Sequence, residues 1–187
     1  MKIALIGSHG TGKTTLCFDL AARLQRLDFS VEIVKEVARR CPLPLNRDTT
    51  LDAQRWILHQ QVADELEAAS QFEAVVCDRS VLDNYAYLVA SQGAREELEP
   101  LVAEWLRTYD GLFKVPILQA PSFDGTRDLS EEFQAEIDRQ IDALLVRFGA
   151  VCTRLDPARR ERWAEDILQR SGLPLARPQI DLFLDRG

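Results

Sequence analysis

A chain of 187 residues, 46% of them apolar, can bury the core of one ordinary domain and is too apolar to remain disordered. Its net charge of -7, without a basic stripe, makes it a poor candidate for tracking long DNA or RNA, because neutralising phosphates along a polymer takes clustered Lys and Arg. A small phosphorylated ligand stays open, since it needs only a local pocket of positive potential, which backbone amides help to supply.

In chain order, residues 3–6 form an apolar run that ends in a Gly-rich turn, as a strand buried on both faces does. Leu16, Leu20, Leu24 and Leu27 then recur at helical spacing. Residues 31–34 predict a second strand, and 49–70 a long helix whose apolar positions are Leu51, Trp56, Ile57, Val62 and Leu66. Residues 74–77 predict a third strand, closed by Asp78, followed by helices at 81–90 and 95–107 separated by Gly93. Residues 112–118 predict a fourth strand, in which Pro116 argues for an early end or an edge. Residues 130–148 predict a helix with Ser130 as N-cap and Gly149 as its stop. A fifth strand at 151–155 and a last helix at 157–170 complete the pattern.

Strands alternating with helices predict an α/β fold, a five-stranded parallel sheet with helices on both faces. Residues 1–170 are expected to form one domain with a short lid near 119–130, and 171–187 a C-terminal tail. The opening apolar run is too short for a signal-peptide core, and no run of about 18 apolar residues could span a membrane, so a cytoplasmic protein is expected. Cys17, Cys41, Cys77 and Cys152 stand far apart without a CxxC pair, which gives neither a disulfide scaffold nor zinc spacing.

Gly7-Ser8-His9-Gly10-Thr11-Gly12-Lys13-Thr14 matches GxxxxGK[ST], the three-layer P-loop signature, between an apolar strand and an amphipathic helix. Glycines permit close approach and unusual φ, successive N–H groups form an anion nest, and the helix start adds its positive dipole end. Gly7 through Thr14, with Thr15 next to them, are the expected contacts for a nucleoside triphosphate. Lys13 is expected to bridge the β- and γ-phosphates, and the Thr14 hydroxyl to bind Mg²⁺. His9, at a variable position, is a spacer rather than a catalyst. Four small or apolar residues followed by Asp78 have the form of the second magnesium-side strand. If the third strand lies beside the first, Asp78 points toward the phosphates. There it can hold magnesium through water or accept a proton from an attacking hydroxyl.

Asp78-Arg79-Ser80, followed by Asp83-Asn84-Tyr85, resembles the P-loop nucleoside and nucleotide kinases, most of all the branch with deoxynucleoside kinases, thymidylate kinase and the nicotinamide riboside kinase domain. The resemblance spans roughly residues 2–170 and is carried by short motifs. It implies that Arg79 contacts phosphate or positions acidic groups. It also implies that Glu36, after the second strand, serves as base or as acceptor for a substrate hydroxyl. Arg39 either faces substrate or is an exposed cation. Arg127, in the Asp124 to Asp128 interval, is the expected lid arginine that closes on the phosphates. Gln54, Trp56 and Gln60 lie on the helix that walls the substrate pocket in such kinases, and Gln60, Asp83 and Tyr87 join Arg39 as expected substrate contacts. Trp56 fits a core position as readily as a base contact.

Two functions compete. One is a kinase that transfers the γ-phosphate of ATP to a small nucleoside-like acceptor, without long nucleic acid or membrane. The resemblance also allows a homodimer. The other is an NTP-dependent switch with slow hydrolysis and a protein partner, against which stand the missing NKxD motif and a length short for an oligomeric AAA-type ATPase.

Overall fold

Strand β1 (Lys2–Ile6) is buried along its whole length, as a strand must be when helices cover both faces of its sheet. Its side chains alternate between two cores, Ile3 and Leu5 into one and Ala4 and Ile6 into the other. The computed structural model describes residues 1–45, 48–118 and 131–176. Strands β2 (Val31–Val34), β3 (Ala74–Asp78), β4 (Gly111–Lys114) and β5 (Thr153–Arg154) join β1 in a parallel sheet of order β2-β3-β1-β4-β5. β3 repeats the alternation of β1, with Ala74 and Val76 on one face and Val75 and Cys77 on the other.

Helices α1 (Lys13–Arg26) and α6 (Trp163–Arg170) close one face. Helices α2 (Leu51–Gln71), α3 (Val81–Gln92), α4 (Glu99–Leu106) and α5 (Glu131–Arg147) close the other. No helix among the described residues is long and apolar enough to cross a membrane. The expected five-stranded parallel sheet with helices on both faces is therefore the observed one.

The departures are local. The single helix expected at 95–107 divides into a 3-10 turn, Glu96–Leu98, and α4, because Pro100 fits only the first turn of a helix. The last helix divides likewise, into a 3-10 stretch Pro157–Arg162 and α6, with Arg159 non-helical between them. β4 stops at Lys114, ahead of Pro116. β5 keeps only two of the expected five residues, since it is an edge strand paired on one side and Val151 is 91% exposed. Of α2's expected apolar face, Leu66 is exposed. Its buried stripe is Ala53, Gln54, Ile57, Leu58, Gln61, Glu65 and Ala68. Three of those seven side chains are polar, and they draw α2 into the site.

Candidate functional site

The loop between β1 and α1 is built by its glycines. Gly7 has φ +137°, and a Cβ there would lie 2.8 Å from the Val115 carbonyl oxygen, so no side chain fits between this loop and β4. Gly12 caps α1 in the left-handed region and offers no side-chain cap. The first-turn N–H groups of α1, at Lys13, Thr14 and Thr15, therefore point out of the helix without an intrahelical acceptor, a ready anion site. Lys13 folds back across the loop, donating to the Ser8 carbonyl at 2.5 Å and to Thr11 Oγ1 at 3.2 Å. Ser8 Oγ is buried and has no hydrogen-bond partner among the described residues. Gly10, Thr14 and Thr15 are exposed at the mouth of the loop.

Other elements hold this loop. Asp83, fully buried, accepts from the Gly7 N–H at 2.8 Å with one oxygen. Its other oxygen accepts from the Ser80 N–H at 2.9 Å and the Ser80 hydroxyl at 2.8 Å, closing a capping box at the start of α3. Burial pushes its carboxyl above the usual range, against the pull of Arg79 and Lys13. On α5, Gln134 donates to the His9 carbonyl at 2.7 Å.

The parallel register sets Asp78 opposite Leu5, at the end of the strand that enters the loop. Its Oδ2 accepts from the Thr14 hydroxyl at 2.5 Å. Two hard oxygen donors meeting beside a phosphate-binding loop fit Mg²⁺, which takes one or two protein oxygens and completes its shell with phosphates and water.

Arg79 follows with φ +97°, a strained backbone for a residue with a side chain. Its Nε donates to Glu36 at 2.9 Å, and its guanidinium lies 4.8 Å from the centre of the Tyr87 ring. Burial opposes its charge, but Glu36 ahead of Tyr87, Asp83 and Asp78 outweighs burial and holds it above the usual arginine range. The other oxygen of Glu36 accepts from Arg39 Nε at 2.9 Å. Arg79 Nη1 is buried without a hydrogen-bond partner among the described residues.

Glu36, Arg39, Arg79 and Tyr87 border a cavity of about 610 Å³ between α2, α3 and the 3-10 turn Val37–Arg40. His9 brings the phosphate loop to its edge, while Ile57, Leu43 and Phe133 line it with apolar surface and Gln54 and Asn84 with amides. The ring of Phe133 lies 6.0 Å from that of His9 and 6.1 Å from that of Tyr87.

Of the residues expected from the sequence, Glu36, Arg79, Arg39 and Tyr87 thus come together at the cavity, and Lys13, Thr14 and Asp78 at the phosphate loop. Two expected substrate contacts lie elsewhere. Asp83 has both oxygens engaged by the loop and the capping box. Gln60 donates to Asp64 at 2.8 Å and borders a shallow surface hollow with Trp56 and His59. Arg127 lies outside the described residues, as do Ser130 and the whole expected lid. Asn84, Phe133, Gln134, Gln61 and Glu65 were missed. For Gln61 and Glu65 the signal was present, as they continue the i, i+3, i+4 stripe of Ile57 and Leu58.

Burial, with the charge of Arg79, lowers the Lys13 ammonium to about 8, against the opposite pull of Asp83, Asp78 and Glu36. A bound triphosphate raises that value, so binding takes up a proton above pH 8. The Lys13 contribution to nucleotide affinity is therefore complete below pH 8 and lost as pH rises beyond it, by up to about tenfold per pH unit. Titration of Mg–AMP-PNP at pH 7, 8 and 9 should show this decline. The Lys13→Arg variant, charged throughout, should show a flatter profile, and equal profiles would remove Lys13 from the binding site.

A family model described as an AAA domain matches residues 2–162. It carries no statement about assembly, the point on which the chain's length had counted against an oligomeric ATPase. No curated protein matches. Among solved structures, the chain is similar to NadR protein in complex with NR, with TM-score 0.76 and 19% identity over 96% of this chain and 54% of that one. It therefore spans about half the length of NadR. It is also similar to deoxyadenosine kinase from M. mycoides with dcmp and dcdp bound (TM-score 0.63, 15% identity, 92% of this chain and 99% of that one). Thymidylate kinase from Ehrlichia chaffeensis gives TM-score 0.61 and 19% identity over 83% and 86%. At these identities the likeness shows a shared fold.

Proposed function

This chain belongs to the AAA domain family, and from that premise we propose that it is an ATP- and Mg²⁺-dependent phosphotransferase that moves the γ-phosphate to a hydroxyl or phosphate of a small nucleoside-like acceptor. The observation that carries this reading is the cavity beside the phosphate loop. A nucleotide switch needs only the loop. Here a second site, the cavity of about 610 Å³, adjoins it, bordered by a carboxylate, two guanidiniums, amides and aromatic rings.

Each side chain has a task in that reaction. Lys13 and the N–H groups of the loop bind the β- and γ-phosphates. Thr14 and Asp78 hold Mg²⁺, which when bound neutralises phosphate charge. Glu36, fixed by Arg79 and Arg39, accepts the hydrogen of the acceptor hydroxyl and aims its oxygen at the γ-phosphate. Glu36 borders the cavity and Asp78 does not, so the base role passes to Glu36. Transfer needs positioning and charge stabilisation more than covalent help, and these groups supply both. The lid arginine, Arg127, and a cytoplasmic location belong to the same proposal.

ADP release from Mg–ATP, assayed with nucleosides, nucleoside monophosphates and nicotinamide riboside, tests the reading. Stimulation by one compound, with its phosphorylated product seen by mass spectrometry, supports a kinase. Slow acceptor-independent hydrolysis across the panel overturns it in favour of a switch. Asp78→Asn should lower transfer by about 10²-fold while weakening AMP-PNP binding in the absence of metal by less than about threefold. Full activity in that variant would make Asp78 a structural residue.

A further inference from the structure

Beneath the cavity, the buried stripe of α2 carries Gln61 and Glu65, both fully inaccessible to water. Side chains from several described elements donate to Glu65. Lys2 Nζ at 2.9 Å and Trp105 Nε1 at 2.7 Å reach Oε2, and Tyr109 Oη at 2.7 Å and Gln61 Nε2 at 2.8 Å reach Oε1. A carboxylate paired with an ammonium has no hydrogen to donate, so Gln61 must turn its NH₂ toward it. The same NH₂ makes a long contact of 3.5 Å with the Arg79 carbonyl. Gln61 Oε1 is left facing α3, where it accepts from Asn84 Nδ2 at 3.3 Å. Rotating the Gln61 amide would set oxygen against oxygen at Glu65 and NH₂ against NH₂ at Asn84, so the direction of the chain is fixed. Asn84 borders the cavity, and its Oδ1 has no hydrogen-bond partner among the described residues.

We propose that Gln61, oriented by Glu65, is a positioning residue for the acceptor site: it turns the Asn84 amide so that a carbonyl oxygen faces the cavity, which selects an acceptor molecule carrying an N–H or O–H donor at that place. The proposal rests on the reading of the cavity as the acceptor site. Gln61 also ties the strained backbone of Arg79, the residue that holds Glu36, to the same buried carboxylate. One core carboxylate thereby orients groups on two sides of the cavity without touching a ligand.

The first test needs no variant. In ¹⁵N-labelled wild-type protein, the side-chain amide protons of Gln61 should exchange with solvent far more slowly than those of exposed Gln25, and exchange at equal rates overturns the orienting chain. The second test uses Gln61→Met, close in volume, Asn84→Leu, and the double variant, assayed against the same acceptor panel. Each single variant should raise the acceptor KM about tenfold while leaving the Mg–AMP-PNP Kd within about twofold. The double variant should be no worse than Asn84→Leu, because residues acting in series are not additive. Unchanged acceptor KM, or additive losses, overturns the proposal. A wild-type protein that phosphorylates no acceptor defeats the kinase reading instead, and the exchange measurement still decides whether the chain of amides exists.

Discussion

Replacing Lys13 with methionine is expected to lower kcat/KM for phosphoryl transfer by about 10²–10³-fold, the scale of losing one positioned charge donor in a water-poor site. The same variant should unfold at a higher temperature than the wild type. The reason lies in the cost of burying an ammonium. Lys13 is 5% exposed, and its folded value of about 8 sits below the 10.5 of a free lysine. A depressed lysine takes up fewer protons folded than unfolded, so its penalty is fully present below pH 8 and fades as pH rises from 8 to 10.5. At neutral pH that penalty amounts to a few kcal/mol, at about 1.36 kcal/mol per unit of displacement. Methionine keeps the length of the side chain and removes the charge. Under the proposed function, this lost stability is traded for a cation aimed at phosphate, a common trade at working sites. Thermal unfolding at pH 7 and steady-state kinetics check both halves. Unchanged turnover would sink the role of the loop, and a lower melting temperature would mean that the contacts to Ser8 and Thr11 outweigh the cost of burial.

The largest loss of stability is expected from Glu65→Ala, about 3–5 kcal/mol. Glu65 is the one acceptor shared by Lys2, Trp105, Tyr109 and Gln61. Removing it leaves a buried ammonium without its carboxylate, along with an indole N–H, a phenol and an amide. The Lys2 ammonium also lies 4.4 Å from the Trp105 ring centre and 4.6 Å from that of Tyr109, contacts too weak to replace the ion pair. For a chain of this size the melting temperature should fall on the order of 10 °C. The double variant Lys2→Met/Glu65→Leu should recover much of that loss, since it leaves no unpaired charge. Double-variant losses equal to the sum of the two single ones would show that the pair does not act as a unit.

The phosphate half of the site could be read almost entirely along the chain. Its chemistry is local: glycines, a lysine and a hydroxyl within eight consecutive residues, bounded by a strand and a helix. Asp78 was legible once the third strand was set beside the first, and the sheet has that neighbour order. The cavity half was legible in its residue types more than in its geometry. Glu36, Arg79, Arg39 and Tyr87 converge on it, whereas Asp83, only four residues beyond Arg79, turns inward to hold Gly7 and Ser80. The spacing Ser80-x-x-Asp83 is that of a capping box, a local signal for the Asp83 bonds to Ser80, whereas its bond to the Gly7 N–H, 76 residues away, could not be read along the chain.

Helix α2 shows the division most clearly. Its apolar residues predicted one buried face, yet Leu66 stands in solvent while Gln61 and Glu65 lie at the centre. Periodicity assumes that apolar side chains decide which face turns inward. Here partners from β1, α3, α4 and the α4–β4 connection supply enough hydrogen bonds to bury a carboxylate and an amide instead. The sequence by itself determined the α/β alternation and the phosphate loop, because both rest on contacts between near neighbours in the chain. Only the tertiary structure decided the cavity and the polar core beneath it, because the bonds from Arg79 to Glu36, from Asn84 to Gln61, and from Lys2, Trp105 and Tyr109 to Glu65 join elements distant in sequence.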